Sequence, residues 1–371
     1  MQFNALIDEA NRQLTICNAC RYCEGYCAVF PALERRIEID GPDVLYLANL
    51  CHDCRACYYA CPFTDPHEFA IDLPRTLSEV RRVTYARYSP VDVIRRLTTS
   101  GPKSLIVVPA VALAVLVAAV ALTTGMSMLG LAHVGPGAFY EIVPWLLMVV
   151  PGTALALYVL VALAVGSIRF ARASGGRLSE FLDRGALLTA GWEALTLRWL
   201  KGGDEGCHYP EYRTSTARTT LHTLVAGGFV AAFVSTVIAG LYQDVLGLLP
   251  PYALLSPPVV VGAVGGLAMV VGSAGLLVLK RRSDRRLTSE ELVEFDVAFL
   301  ITIGLTSLTG MLLLAFRDTA AMPLLLLVHL AILTTLYVTA PYGKFAHFVY
   351  RYAALVRNRI EESGLAERPR S

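Results

Sequence analysis

The sequence is poor in charge. Only 17% of its 371 residues are Asp, Glu, Lys or Arg, whereas 55% are apolar. That balance excludes an ordinary soluble globular protein and points to a membrane class. The motifs of hydride and hydrolytic chemistry are also missing. No G-x-G-x-x-G follows a strand and opens a helix, so no dinucleotide fold is expected. No P-loop, H-E-x-x-H or G-x-S-x-G occurs. Met1 to Thr15 has neither a basic n-region nor an apolar h-region, so no signal peptide is expected. The N-terminal segment is therefore expected to stay in the cytoplasm, where clustered cysteines are not read as disulfides. No nucleic-acid partner is expected.

What charge there is lies unevenly. Residues 1–100 are charged and cysteine-rich, and the apolar excess follows Lys103, so a domain boundary is expected near Gly101 and Pro102. Beyond it, six stretches are each long enough to cross a hydrocarbon core about 30 Å thick. They fall near Leu105–Leu122, Tyr140–Ile168, Leu221–Tyr242, Val259–Leu279, Val297–Phe316 and Met322–Val349. Pro144, Pro151 and Pro341 are expected to kink their helices. Lys and Arg crowd the segments after the second and fourth stretches and the C-terminus. The connections near Thr124–Phe139 and Gln243–Pro258 have none. The positive-inside rule then puts both termini and the basic loops in the cytoplasm. Gly262 and Gly266 form a G-x-x-x-G pair, read first as close helix packing.

Eight of the nine cysteines form two runs. Cys17, Cys20, Cys23 and Cys27 follow C-x2-C-x2-C-x3-C. Cys51, Cys54, Cys57 and Cys61 repeat it, with Pro62 next. This is the bacterial [4Fe–4S] spacing, in which three thiolates wrap one cubane and the fourth ligates the other. Cys17, Cys20, Cys23 and Cys61 are expected on one cluster, and Cys51, Cys54, Cys57 and Cys27 on the second. Zinc sites would need CxxC pairs separated by a longer knuckle. Ala28 replaces the proline that usually follows such a run. The segment between the runs reads as helix, so the domain is expected to be a helical ferredoxin. His52 and His67 read as hydrogen-bonding or surface residues. Cys207 and His208 receive no role.

Three histidines fall in apolar stretches, where ionisable residues are functional candidates. His222 and His347 are expected at similar depth on the inner side, and could ligate one b-type haem axially. His329 lies 18 residues before His347, about five turns of helix, on the same face and towards the other surface. It is a candidate for a second haem, although Pro341 and Gly343 interrupt that phase. The alternative is that these histidines bridge helices by hydrogen bonds.

The stretch VLYLANLCHDCRACYYACPFTDPHEFAIDLPR, from Val44 to Arg75, resembles the tricarballylate or citrate utilisation protein B family. So do DVAFLITIGLTSLTGMLLLAFRDTAAM before Pro323 and PYGKFAHFVYRYAALVR near the C-terminus. The resemblance implies a membrane iron–sulfur protein that reoxidises the FAD of a partner tricarballylate dehydrogenase and feeds the quinone pool. The membrane half is also similar to the nitrate reductase gamma subunit, whose paired histidines hold b haems. There one helix carries two histidines at the separation seen here.

The expected fold is all-α. An α-helical ferredoxin-like domain with two [4Fe–4S] clusters occupies residues 1–100. A six-helix transmembrane bundle spans 101–350, with a cytoplasmic loop at about 170–217, and a cytoplasmic tail covers 351–371. The expected role is electron transfer in a bacterial cytoplasmic membrane, from a FAD-dependent dehydrogenase to quinone, without a hydride or hydrolytic site of its own. Other readings are an electron-delivery subunit of a heterodisulfide-reductase-like complex, and a membrane redox sensor.

Overall fold

The structure, a computed structural model, describes residues 3–91, 104–176, 178–288 and 290–364. Its regular elements are all helical. The boundary expected near Gly101 and Pro102 lies outside the described residues. The N-terminal part contains α1 (Phe3–Cys20), α2 (Val29–Glu34), α3 (Gly41–Leu50), α4 (Ala56–Ala60) and α5 (Leu73–Tyr88). α3 starts where Asp40 and Asp43 form a reciprocal capping box, with Asp40 accepting the Asp43 N–H at 2.8 Å. α5 starts at Asp72, which accepts the Arg75 N–H at 3.2 Å.

The C-terminal part contains α6 (Ser104–Thr123), α7 (Ala138–Ile142), α8 (Trp145–Ala173), α9 (Arg184–Leu195), α10 (Ala217–Asp244), α11 (Pro257–Arg282), α12 (Glu290–Ala315), α13 (Met322–Thr339) and α14 (His347–Glu362). Six of these, α6, α8 and α10 to α13, are long and apolar enough to cross a membrane. Their apolar side chains, such as Val115, Leu160, Val264 and Leu308, point outward, as lipid-facing surfaces require. α10 and α11 pack most closely. A Cβ on Gly228 would press on the Gly265 carbonyl, and one on Gly272 on the Leu221 carbonyl. Small residues set this approach, as the G-x-x-x-G reading expects. Within that pair, Gly262 meets Ser235 and Gly266 meets Met311.

Two boundaries differ from expectation. The second span begins at Trp145, because Pro144 is its N-cap and the residues before it form the short α7. The sixth apolar stretch is not one helix to Val349. α13 ends at Thr339, and the chain passes Pro341 and Gly343 before a 3-10 turn at Lys344–Ala346. Pro341 lacks the N–H that would continue the helix and clashes with the preceding turn. The phase linking His329 to His347 is therefore broken.

α14 begins at His347 and is no tail. Tyr350, Ala353, Leu355, Val356 and Ile360 join the core formed by Leu14 of α1, Leu47 of α3, Leu77 of α5 and Phe170 of α8. Its polar face is tied down as well. Arg36 lies 2.8 Å from Asp43 and 2.7 Å from Glu361, and Arg357 lies 3.0 Å from Glu361 and 3.5 Å from Asp43. Tyr46 is held between these guanidinium groups, 4.8 Å from that of Arg36 and 4.4 Å from that of Arg357. Asp43 is fully buried, so Asp43→Ala should leave two enclosed cations short of a carboxylate. Removing one member of a buried ion pair costs about 3–5 kcal/mol. Urea unfolding of the detergent-solubilised protein should show that loss, with the N-terminal domain melting first; an unchanged midpoint would refute the account.

Candidate iron–sulfur and histidine site

The site is assembled from two cysteine loops and the connections between the spans. Cys17 and Cys20 end α1, and Cys23 and Cys27 lie in the turns before α2. Cys51 caps α3, Cys57 lies in α4 and Cys61 caps its end. Arg21, Asp53 and Arg55 adopt positive φ (55°, 56° and 66°). Such non-glycine residues carry strain of about 1–3 kcal/mol each and concentrate at functional sites. Here they fall within the two cysteine loops, where the chain turns sharply between successive cysteines.

The cysteines fall into two groups of four. Cys17 has Cys61, Cys23 and Cys20 as its electrostatic neighbours. Cys27 has Cys54 and Cys51, and Cys57 has Cys54, Cys27 and Cys51 before Cys23. The fourth cysteine of each run thus lies with the other run. A cavity lined by Cys17, Cys20, Cys23 and Cys61, with Cys57 of the other group at its wall, opens beside Tyr22, Phe63 and Pro62. Cys20 is the exposed member of its group, in which Cys23 is buried; in the other group Cys54 is buried and none is exposed.

The donor set fits iron–sulfur clusters. Burial pushes the thiols of Cys17, Cys23 and Cys54 up to about 12, and those of Cys27 and Cys57 well above their usual range. Buried thiolates therefore persist only when a metal takes the place of their protons. All nine cysteines are free of disulfides. Among the described residues, no three His, Cys, Asp or Glu side chains converge as a single ion would need. A cubane asks for something else: thiolates spread around its four iron corners.

The second cysteine group is docked on the inter-span connections. Arg55 is buried and donates to Thr288 Oγ1 at 2.8 Å. Its guanidinium lies 4.6 Å from the centre of the Tyr209 ring, and that of Arg218 lies 4.7 Å from the same ring. Arg218 also donates to the Asp53 carbonyl at 2.6 Å, and the His208 N–H donates to the Cys54 carbonyl at 2.8 Å. Cys207 is buried against Cys54. The 207–209 segment thus belongs to the site, which sequence reasoning missed. A Cys-His pair beside a tyrosine in a basic loop was the available signal.

His222 and His347 come together. Their ring centres are 6.2 Å apart, with planes at 85°. His347 donates its Nδ1–H to the Lys344 carbonyl at 2.5 Å, which leaves Nε2 as the nitrogen with a lone pair. Burial, then Lys344 and Arg351, hold His347 neutral, well below its usual pKa. His222 Nδ1 is buried without a hydrogen-bond partner. The starts of α10 and α14 thus bring two imidazoles to one place. Lys344 and Lys280 both pair with Asp296, Lys344 at 2.8 Å, and tie the hinge to α11 and α12.

The other histidines are engaged elsewhere. His329 Nδ1 pairs with the Thr309 hydroxyl at 3.1 Å, bridging α13 to α12. His133 Nδ1 contacts Glu141 at 2.6 Å, and its Nε2 contacts the Met128 carbonyl at 3.0 Å. His52 donates its Nδ1–H to the Leu50 carbonyl at 2.8 Å. His67 Nδ1 accepts the Phe69 N–H at 3.1 Å.

Fold and site define the class: a multi-pass membrane protein with a ferredoxin-type helical domain at its N-terminus. Residues 10–87 match the Fer4-like domain of citrate utilization protein B, and residues 98–368 match citrate utilization protein B itself. The citrate utilization protein B of Escherichia coli is 38% identical over 360 residues, which cover 95% of this chain and 92% of that protein. The chain belongs to the citrate utilization protein B family. No solved structure matches it. The Fer4-like match points to iron–sulfur clusters and electron transfer.

If Tyr209 holds the cysteine loop to the membrane half, Tyr209→Leu should free it. Amide hydrogen exchange across residues 51–57 should rise at least tenfold while exchange within α3 stays slow. Equal protection in both proteins would show that the stack is dispensable.

Proposed function

We propose that this protein conducts electrons from a cytoplasmic flavoprotein into the membrane. One observation carries the reading: two neighbouring groups of four cysteines in the N-terminal part, together with a histidine pair, His222 and His347, whose ring centres lie 6.2 Å apart. Arg81 donates to the Cys51 carbonyl at 3.2 Å. Cys17, Cys20, Cys23 and Cys61 hold the outer [4Fe–4S] cluster in this reading, and Cys27, Cys51, Cys54 and Cys57 the inner one. His222 and His347 hold one b-type haem. His329 takes no part in this reading, because the break after Thr339 takes it out of phase with His347 and both nitrogens of His133 are occupied.

Bound clusters and haem supply one-electron carriers. The chain's own residues do the rest. Tyr22 and Cys20 expose the outer group to a docking protein. The donor in this reading is a FAD-dependent dehydrogenase of the tricarballylate type; the Escherichia coli relative is named for citrate utilization. The acceptor is membrane quinone. The orientation follows from the basic connections: the N-terminal domain, α9 and α14 lie on the cytoplasmic face of a bacterial inner membrane.

The first test is a reduced-minus-oxidised visible spectrum with an iron count. Wild type should show a sharp b-type signal and about eight cluster irons besides the haem iron. His222→Ala and His347→Ala should each abolish that signal and spare the clusters. Cys57→Ser should lose roughly half of the cluster iron, yet still insert in the membrane. Full iron in Cys57→Ser would overturn the ligand assignment, and broad absorption without a haem band would overturn the histidine pair.

A further inference from the structure

α9 stands between two spans, joined to α8 by residues 174–183 and to α10 by residues 196–216. One face is packed. Ala186, Ala190 and Glu193 are buried, and Tyr352 of α14 donates to the Leu187 carbonyl at 3.1 Å. The opposite face carries Leu188, Trp192 and Leu195, spaced four and three residues apart, which is one side of a helix. These side chains are 76%, 69% and 81% exposed. Leu182, in the turn before the helix, is 74% exposed.

That outer face is unusual in what it lacks. The carboxylate within α9, Glu193, points inward, where Arg359 and Arg198 engage it. Asp183 is spent as the N-cap, accepting the Ala186 N–H at 2.6 Å. Cations flank the apolar stripe instead: Arg184 at its start and Arg198 and Lys201 beyond its end, all exposed. A stripe of Leu and Trp bordered by Lys and Arg is the chemistry of a helix lying in a membrane interface. Both neighbours of α9 in the chain are helices long and apolar enough to cross a membrane, so the helix is tethered at both ends to spans that emerge on one side.

We propose that the outer face of α9 lies in the headgroup region of the bilayer and moors the N-terminal domain to the membrane. The consequence is positional. A groove lined by Gly25, Cys27, Thr189, Trp192 and Lys201 runs beside α9. With α9 in the interface, this groove opens at headgroup depth beside Cys27. Its wall is closely packed at Gly203 (φ 61°), where an added Cβ would collide with the Tyr26 carbonyl. The proposal goes beyond electron transfer and needs no cluster or haem.

The test uses the full-length protein in liposomes with brominated phospholipid. Trp192 is one of three tryptophans, so its emission is read as wild type minus Trp192→Phe. The difference spectrum should be blue-shifted, quenched at least twofold by bromines near the headgroup, and insensitive to iodide. Leu188→Gln with Leu195→Gln should weaken that quenching, while the emission of the other two tryptophans, Trp145 and Trp199, read in the Trp192→Phe background, is unchanged. Quenching by iodide would place Trp192 in water. Quenching by neither agent would place it against protein. Either result overturns the proposal.

Discussion

The aromatic ring of Tyr209, stacked between Arg55 and Arg218, is the contact on which the arrangement depends. Arg55 belongs to the second cysteine loop and Arg218 to the start of a span, so the ring is the pivot between two otherwise separate structures. Guanidinium groups keep part of their attraction for an aromatic face when enclosed, and need no opposite charge for it. That matters here, because the inner cysteine group is the wrong neighbour for a free carboxylate: thiolates and carboxylates would repel. Asp53 is tolerated because Arg55, Arg218 and Arg81 hold its carboxyl below the usual range against the cost of burial. The domains are joined by cations and rings, which leaves the negative charge to the cysteines.

The same economy shapes the second junction. Tyr46 is flanked by Arg36 and Arg357, so α14 enters the N-terminal core through another ring between two guanidiniums. Here carboxylates are present, as Asp43 and Glu361, and this junction lies away from the histidine pair at the other end of α14. The chain thus enters the N-terminal domain twice, once at each end of the sequence. Its C-terminal helix is as much a part of that domain as α1.

Much of this was legible in the sequence, and the reason is chemical. Six apolar runs were long enough to be spans, and six long apolar helices answer to them. Two cysteine runs of one spacing pointed to iron–sulfur clusters, as the Fer4-like match does. What escaped reading depended on three-dimensional packing. Residues 347–362 read as the end of a span and a tail, since Phe348, Val349 and Tyr350 continue an apolar run. Their burial beneath α1, α3 and α5 follows from a fold that local pattern does not report. The stacking of Tyr209, likewise, joins residues far apart in the chain. Pro341 announced a kink, but not that the helix would end there.

That break decides what the histidines can do. A continuous sixth helix would have kept His347 on the lipid-crossing axis, in phase with His329, with two stacked sites as the consequence. The hinge at residues 340–346 instead swings His347 to the first turn of α14, opposite His222 near the start of α10. Its Nδ1–H is spent on the Lys344 carbonyl within the hinge itself, so the turn that breaks the helix also fixes which nitrogen remains free. Lys344 in turn is anchored by Asp296, which Lys280 shares. The hinge is therefore not slack. It is a braced corner whose geometry sets one imidazole against another, their ring centres 6.2 Å apart. His329, on the unbroken part of the sixth span, is engaged differently: its Nδ1 bridges to Thr309 of the neighbouring helix.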